Sequence, residues 1–301
     1  MRILLTGKDG QIGGELSPLL AAIGTVTALG REDLNLERPE EIRRQIARVR
    51  PQWIVNAAAY TAVDRAEKEP EKAFAINGSA PGVLAGEAAR LGAAIIHFST
   101  DYVFSGDKTG GPYTETDPPA PLGVYGASKL AGERAVARSG ASHLIFRTSW
   151  IYGLRGKNFL LTMQRLARER DEIRVVDDQL GQPTWSRTVA RAVARLLAGF
   201  TANGQSFPSL EEASGLYHLT CSGETTWYGF CRAILDASPL PQPRLLPIPT
   251  AEYPALAARP KYSVLSSAKF ERTFRFAPPA WRDALQECLS CQQEEGPGGG
   301  D

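Results

Sequence analysis

Histidine occurs three times, methionine twice and cysteine four times in 301 residues. With so few imidazoles and thiols, no cluster of His with acids has the spacing of a metal site, and none is expected. His97, His143 and His218 lie in or near apolar runs and read as packed core residues. Cysteines 221, 231, 288 and 291 are too sparse to frame a disulfide scaffold in a chain this long. Cys288 and Cys291 have redox or zinc spacing but fall in a predicted helix, 281–293, without a second pair, so all four are expected as reduced thiols. Charge of one sign is missing too. Lys and Arg number 34 against 33 Asp and Glu, which leaves no field to attract nucleic acid or an anionic membrane. No apolar run approaches the roughly 18 residues of a membrane helix. The opening Met1-Arg2-Ile3-Leu4-Leu5-Thr6-Gly7 is too short for a signal peptide, so a cytoplasmic location is expected. Internal repeats are absent as well. Any anionic ligand must therefore be held by local features.

The chain instead carries alternating strand and helix patterns. Residues 2–6 form a short apolar run that ends on Gly7-Lys8-Asp9-Gly10-Gln11-Ile12-Gly13, with a helix predicted over 14–22. Strand, glycine turn and helix make the setting of a phosphate-binding loop, because backbone without Cβ atoms can approach a pyrophosphate at a helix N-terminus. A second strand, 25–29, ends in Gly30-Arg31-Glu32-Asp33. Arg31 would suit the 2′-phosphate of NADPH and Asp33 the ribose of NADH; the open space at Gly30 tips the reading towards NADPH. A helix over 39–48 and a strand over 53–56 lead into Ala57-Ala58-Ala59-Tyr60, small residues that let a flat ligand near the backbone. Residues 64–91 read as helical, interrupted at Pro70. Asn77 within them reads as solvated. Strand 93–98 then delivers Ser99 and Thr100. Segment 105–124, rich in Gly and Pro, is about twenty residues long, which favours a lid over a mere connector.

Helix 126–138 and strand 143–147 complete the series, followed by helix 158–170, strand 173–176 and helix 187–197. Beyond residue 200 periodicity weakens. The expected fold is a Rossmann-type doubly wound parallel α/β sheet with a smaller C-terminal α/β substrate domain. The dinucleotide-binding part is expected over 1–149, 171–199 and about 225–240, and the substrate part over 150–170, 200–224 and 241–293. The Gly-rich tail, 294–301, reads as disordered.

In such sheets ligands bind at the carboxyl ends of the strands, so Gly7, Ala58 and Thr100 converge on one crevice. Tyr125 and Lys129 stand four residues apart, on one helix face. An ammonium beside a phenol draws the phenol's pKa down from near 10 towards the range of efficient proton transfer. With Thr100 to share a developing oxyanion, the constellation suits hydride transfer to a ketone with Tyr125 as proton donor.

Several stretches resemble the dTDP-4-dehydrorhamnose reductase family of extended short-chain dehydrogenases. They are Gly7-x-x-Gly10-Gln11-x-Gly13, Asn56-Ala-Ala-Ala-Tyr-Thr-Ala-Val-Asp64, Ser99-Thr-Asp-Tyr-Val-Phe104, Pro121-Leu-x-Val-Tyr-Gly126 and Arg147-Thr-Ser-Trp150. Asp178-Gln-x-Gly-x-Pro-Thr184, Gly215-Leu-Tyr-His-Leu219 and Ala258-Arg-Pro260 extend the likeness over nearly the whole chain. The resemblance implies NAD(P)H-dependent reduction of the C4 ketone of dTDP-4-dehydro-L-rhamnose. It implies Thr100, Tyr125 and Lys129 as catalytic residues, and Asp101, Trp150 and Thr100 as contacts of the dTDP-sugar. Gly7, Gly10, Gln11, Ile12 and Gly13 would line the pyrophosphate. Gly30, Arg31, Asn35, Leu36, Ala58, Ala59, Tyr60 and Phe98, with Tyr125 and Lys129, would line the rest of the cofactor. Tyr60 stands where relatives have His. Some relatives form metal-bridged homodimers through glutamates; Glu15 could match one, although a Mg2+ requirement does not follow from these residues. Another sugar-nucleotide reductase or epimerase, or an NADP-binding regulatory subunit without turnover, would share the scaffold. The intact Thr100, Tyr125 and Lys129 argue against the regulatory reading.

Overall fold

The computed structural model describes residues 1–201 and 208–295. Six parallel strands form the main sheet, in the order β10-β5-β4-β3-β1-β2. These are β1 (Arg2–Thr6), β2 (Thr25–Leu29), β3 (Trp53–Asn56), β4 (Ala94–Thr100), β5 (His143–Thr148) and β10 (Gly215–His218). β3 and β4 are buried along their whole length and β1 over all but its first residue, which explains their continuous apolar composition. On one face α1 (Gln11–Ala21), α8 (Ser186–Thr201) and α11 (Ala268–Phe274) bury Leu16, Leu20, Val193, Leu197 and Phe270 against Ile3, Leu5 and Ile96. On the other, α2 (Pro39–Val49), α5 (Ala80–Leu91) and α6 (Val124–Ala137) bury Ile42, Ile46, Leu84 and Val136 against Leu4, Ile54 and Ile95. The strand order reverses between β1 and β3, where the register pairs Thr6 with Asn56. The crevice at such a reversal is where open sheets take their ligands.

Three local departures from the sequence reading matter for the site. α1 begins at Gln11, directly on Gly10, so the glycine turn opens into helix three residues earlier than expected. The stretch 64–91 is α3 (Val63–Ala66), α4 (Pro70–Phe74), a π-helical turn (Ala75–Ser79) and α5. Pro70 and Pro81 stand in the first turns of α4 and α5, where a missing N–H costs nothing. α6 starts at Val124, so Tyr125 lies inside the helix and shares its face with Lys129.

A second core gathers β6 (Ile151–Tyr152), α7 (Phe159–Glu169), β7 (Glu172–Val176), β9 (Thr184–Trp185), α10 (Trp227–Asp236), β12 (Arg244–Ile248) and α12 (Trp281–Glu295), while β8 (Leu180–Gly181) and β11 (Thr225–Thr226) pair antiparallel with each other. Short α9 (Leu210–Ala213) precedes β10. Residues 215–218 pair with β5 because Tyr217 buries against Phe146, which places them in the main sheet. β7 and α10 bury Ile173, Phe230 and Ile234 in the second core. We propose that the dinucleotide part comprises 1–149 with α8, β10 and α11, and that the substrate part is built on the second core. Of the tail expected to be disordered, Glu294 and Glu295 close α12, and 296–301 lie outside the described residues. Cys221, Cys231, Cys288 and Cys291 are free thiols.

A Cβ on Gly132 of α6 would meet the Asn77 carbonyl oxygen of the π-turn at 2.1 Å, whereas one on Gly86 of α5 would meet nothing within 4 Å. Gly132→Ala is expected to destabilise the protein by about 1–3 kcal/mol. Gly86→Ala is expected to stabilise it by about 0.5–1 kcal/mol in the same urea titration. Equal midpoints for the two variants would contradict this account of the α6 packing.

Candidate active site

Glycines build the nucleotide end of the crevice. Gly7 has φ +76°, donates its N–H to the Leu29 carbonyl at 2.8 Å and has no room for a side chain: a Cβ there would meet Ala58 N at 2.6 Å. On Gly13 a Cβ would meet the Gly7 carbonyl oxygen at 2.0 Å. Gly10 caps α1 without a side-chain hydrogen bond, which leaves the first-turn N–H groups to an outside acceptor. Ile12 packs against the main core, and the Gln11 amide reaches the Ile151 carbonyl at 3.4 Å while its Oε1 is buried without a protein partner.

At the end of β2 a Cβ on Gly30 would strike Asp9 Oδ2 at 2.0 Å. Asp33 accepts from Lys8 Nζ at 2.6 Å and from Gly30 N at 2.8 Å, and the lysine contact holds its carboxyl below the usual range. Asp33 is thus engaged by its own chain, while Arg31 is exposed beside it. Asn35 Oδ1 accepts the Glu37 N–H and Leu36 is packed in the core, so neither presents those groups to a ligand. Ala58 and Ala59 are half-buried at the loop. Tyr60 differs from expectation. Its backbone N–H and carbonyl pair with the Asn77 side chain at 2.8 and 3.0 Å, and its hydroxyl contacts Glu69 and Arg65. It supports the crevice from behind and has no free backbone group to offer.

Thr100, Tyr125 and Lys129 do converge. The Tyr125 phenol lies beside Thr100, whose hydroxyl donates to Asp101 Oδ1 at 3.0 Å. Burial pushes the phenol up to about 12, against the opposing Thr100 contact. The Lys129 ammonium is buried and donates to the Phe98 carbonyl at 2.5 Å. Burial draws it down to about 8, with Glu133 opposing. In this arrangement the ammonium serves a strand carbonyl, and desolvation dominates the phenol. Asp101 is buried; its Oδ2 finds no protein partner, and burial pushes its carboxyl up to about 6.

Other polar residues, not flagged by the sequence, hold these groups. Asn77 is buried, not solvated, and its amide also donates to Ser128 Oγ at 3.0 Å, which in turn donates to the Tyr125 carbonyl at 2.8 Å. An amide in an otherwise apolar helical run was the available clue. Glu67 accepts the Val124 N–H at the start of α6 at 2.8 Å. Asp64 clasps the segment opposite, accepting from Ala257 N at 3.0 Å and from Arg259 Nη2 at 2.9 Å. Val63, Tyr102, Tyr125, Ala257 and Pro260 line a narrow cleft beside the phenol. Segment 105–123 is anchored: Tyr113 stacks on Phe104 with ring centroids 4.1 Å apart and donates its N–H to the Val264 carbonyl. Trp150 adopts φ +45° and stacks on Trp227 at 3.5 Å, 6° from parallel. Glu15, a candidate for a metal bridge, is buried against Arg187 at 2.7 Å. Among the described residues no group of three or more His, Cys, Asp or Glu could hold a metal ion. No described helix is long and apolar enough to cross a membrane.

A family model described as the RmlD substrate binding domain matches residues 1–293. The chain is 47% identical over 296 residues to a dTDP-4-dehydrorhamnose reductase of Burkholderia thailandensis, covering 96% of this chain and 98% of that protein. It is 43% identical to the Escherichia coli dTDP-4-dehydrorhamnose reductase over 300 residues, with 96% and 97% covered. Among solved structures, dTDP-4-dehydrorhamnose reductase from Bacillus anthracis in complex with NADP superposes with a TM-score of 0.88 at 33% identity, over 97% of this chain and 99% of that one. Thermus thermophilus UDP-glucose 4-epimerase, at 21% identity and a TM-score of 0.79, shares the fold. With the match spanning both cores and the crevice between Gly7 and Thr100, the chain belongs to the dTDP-4-dehydrorhamnose reductase family.

Proposed function

We propose that this protein reduces the C4 ketone of dTDP-4-dehydro-L-rhamnose with NADPH, and that Thr100, Tyr125 and Lys129 carry the reaction. The observation that supports it most is the placement of Tyr125 on α6 beside Thr100 at the carboxyl end of β4, with the Thr100 hydroxyl donating to Asp101 Oδ1 at 3.0 Å. A phenol pushed up to about 12 is neutral at physiological pH, so Tyr125 holds the proton that a carbonyl oxygen needs on reduction. The Thr100 hydroxyl can rotate from Asp101 to that oxygen. Lys129 keeps Thr100 in place through the Phe98 carbonyl two residues upstream. The unpartnered Asp101 Oδ2 suits a sugar hydroxyl, and Trp150 lies beyond β5 to meet the sugar.

The cofactor fits the residues present. The uncapped start of α1 and the side-chain-free approach at Gly7, Gly10 and Gly13 would hold a pyrophosphate. Asp33 is engaged by Lys8, which leaves Arg31, beside the exposed Glu32, as the exposed cation at the end of β2 and favours a 2′-phosphate there. NADPH, when bound, supplies the hydride. A dTDP-sugar as substrate and a cytoplasmic location complete the reading.

In an assay of NADPH consumption with the 4-keto sugar nucleotide, Tyr125→Phe should lose roughly 100- to 10,000-fold in turnover while still binding NADPH. Near-normal turnover would remove Tyr125 as the donor. Arg31→Ala should lower the NADPH-over-NADH efficiency ratio about tenfold, a loss of about 1.4 kcal/mol of phosphate contact; an unchanged ratio would refute that contact. Asp101 also makes stability depend on pH. Its folded pKa is raised, so its contribution is fully present below about pH 4 and is lost as pH rises through about 6. Asp101→Asn should gain on the order of 2 kcal/mol relative to the native chain between pH 4 and 6.5 in urea unfolding. A pH-independent difference would contradict the buried carboxylate.

A further inference from the structure

Tyr125, Lys129 and Glu133 fall at i, i+4 and i+8 of α6 and share one face. Two of them have roles in the reaction proposed above; Glu133 has none. It is a buried carboxylate. Its Oε1 accepts from Ser99 Oγ at 2.5 Å and from Arg147 Nε at 2.9 Å, and its Oε2 accepts from Arg147 Nη2 at 2.7 Å. Ser99 and Arg147 are themselves buried and are direct register partners on β4 and β5. Two successive residues of β4 are therefore each held by one of these side chains, and the third, Thr100, lies beside the Tyr125 phenol. Phe98 is held through its carbonyl by Lys129 and Ser99 through its hydroxyl by Glu133.

A buried ion pair is a poor way to add stability, since apolar residues of similar volume usually do as well or better. What a bidentate Arg–carboxylate pair adds is fixed geometry. We propose that Glu133 is a positioning residue for the reduction: with Ser99 and Arg147 it fixes the end of β4 against α6, so that Thr100 and Tyr125 meet one carbonyl oxygen, and it supplies the counter-charge for the Lys129 ammonium. The inference rests on the roles proposed for Tyr125 and Lys129.

The groups facing that ammonium are few. His97 on β4 is buried, pairs with Asn56 Nδ2 at 3.0 Å and is held well below its usual range, first by burial. Tyr125 and Glu133 flank it on α6, Arg147 lies behind Glu133 on β5, and Asp101 follows β4. Among these Glu133 is the charge that favours the protonated lysine. Its removal lets Lys129 lose its proton at lower pH.

Glu133→Gln leaves Arg147 as an unpaired buried charge and is expected to fold poorly. The deciding variant is Glu133→Gln combined with Arg147→Met, which removes both charges and keeps the volume. It should fold, keep NADPH binding within about fivefold and lose at least about tenfold in kcat, with the alkaline limb of kcat moved to lower pH. Glu133→Asp, which retains the charge on a shorter arm, should restore the limb but not the full kcat. A folded double variant with native kcat and an unmoved limb would overturn the inference and leave Glu133 as packing. The Lys129 side chain, followed by NMR in the substrate-free protein, separates this from the function itself. Absent turnover in the native protein would refute the proposed reduction. The positioning inference would still stand on a Lys129 titration midpoint that moves to lower pH in the double variant, and fall on one that does not.

Discussion

An ammonium taken out of water costs several kcal/mol unless its protons find acceptors and its charge a counter-charge. Lys129 meets that demand with the Phe98 carbonyl and with Glu133 one helical turn along. Because the acceptor is backbone, the contact ties a helix to a strand, and the strand involved is the one that ends in Thr100. Much of the surrounding architecture supports that tie. Gly132 lets α6 approach the π-turn, and Asn77 on that turn reaches both the loop at Tyr60 and Ser128 on α6. The helix is thereby located from both of its flanks before any ligand arrives.

Desolvation also decides the chemistry in this ligand-free arrangement. With its pKa pushed up by desolvation, the Tyr125 phenol stays neutral and carries its proton in this arrangement. Asp101, the nearest carboxylate in the series, is held close to its own ionisation and tethered to Thr100. Proton inventory at the site is thus set by burial more than by the lysine.

Features that depend on local pattern were legible in the sequence. The glycine turn after β1, the strand that delivers Thr100 and the shared face of Tyr125 and Lys129 follow from periodicity and from residues with special backbone freedom. The start of α1 and the π-turn were not, because a helix boundary at glycine and an extra residue in a turn leave no periodic trace. The burial of Asn77, Glu133 and Arg147 was also hidden. Each is polar, and only tertiary pairing separates a buried partner from a solvated side chain. The exchange of β10 and α10 between the two cores has the same origin. A four-residue strand carries no information about which sheet edge will receive it; at the edge it takes, Tyr217 packs against Phe146.

Trp150 sits with φ +45°, a backbone region that costs a side-chain-bearing residue about 1–2 kcal/mol. The strain is held by the face-to-face stack on Trp227 and by the missing side chain at Gly181, where a Cβ would strike the indole at 2.3 Å. Positions 150, 181 and 227 come from three distant parts of the chain yet form a single unit of variation. A side chain at 181 or a smaller one at 227 would therefore shift the Trp150 ring as surely as a change at 150 itself.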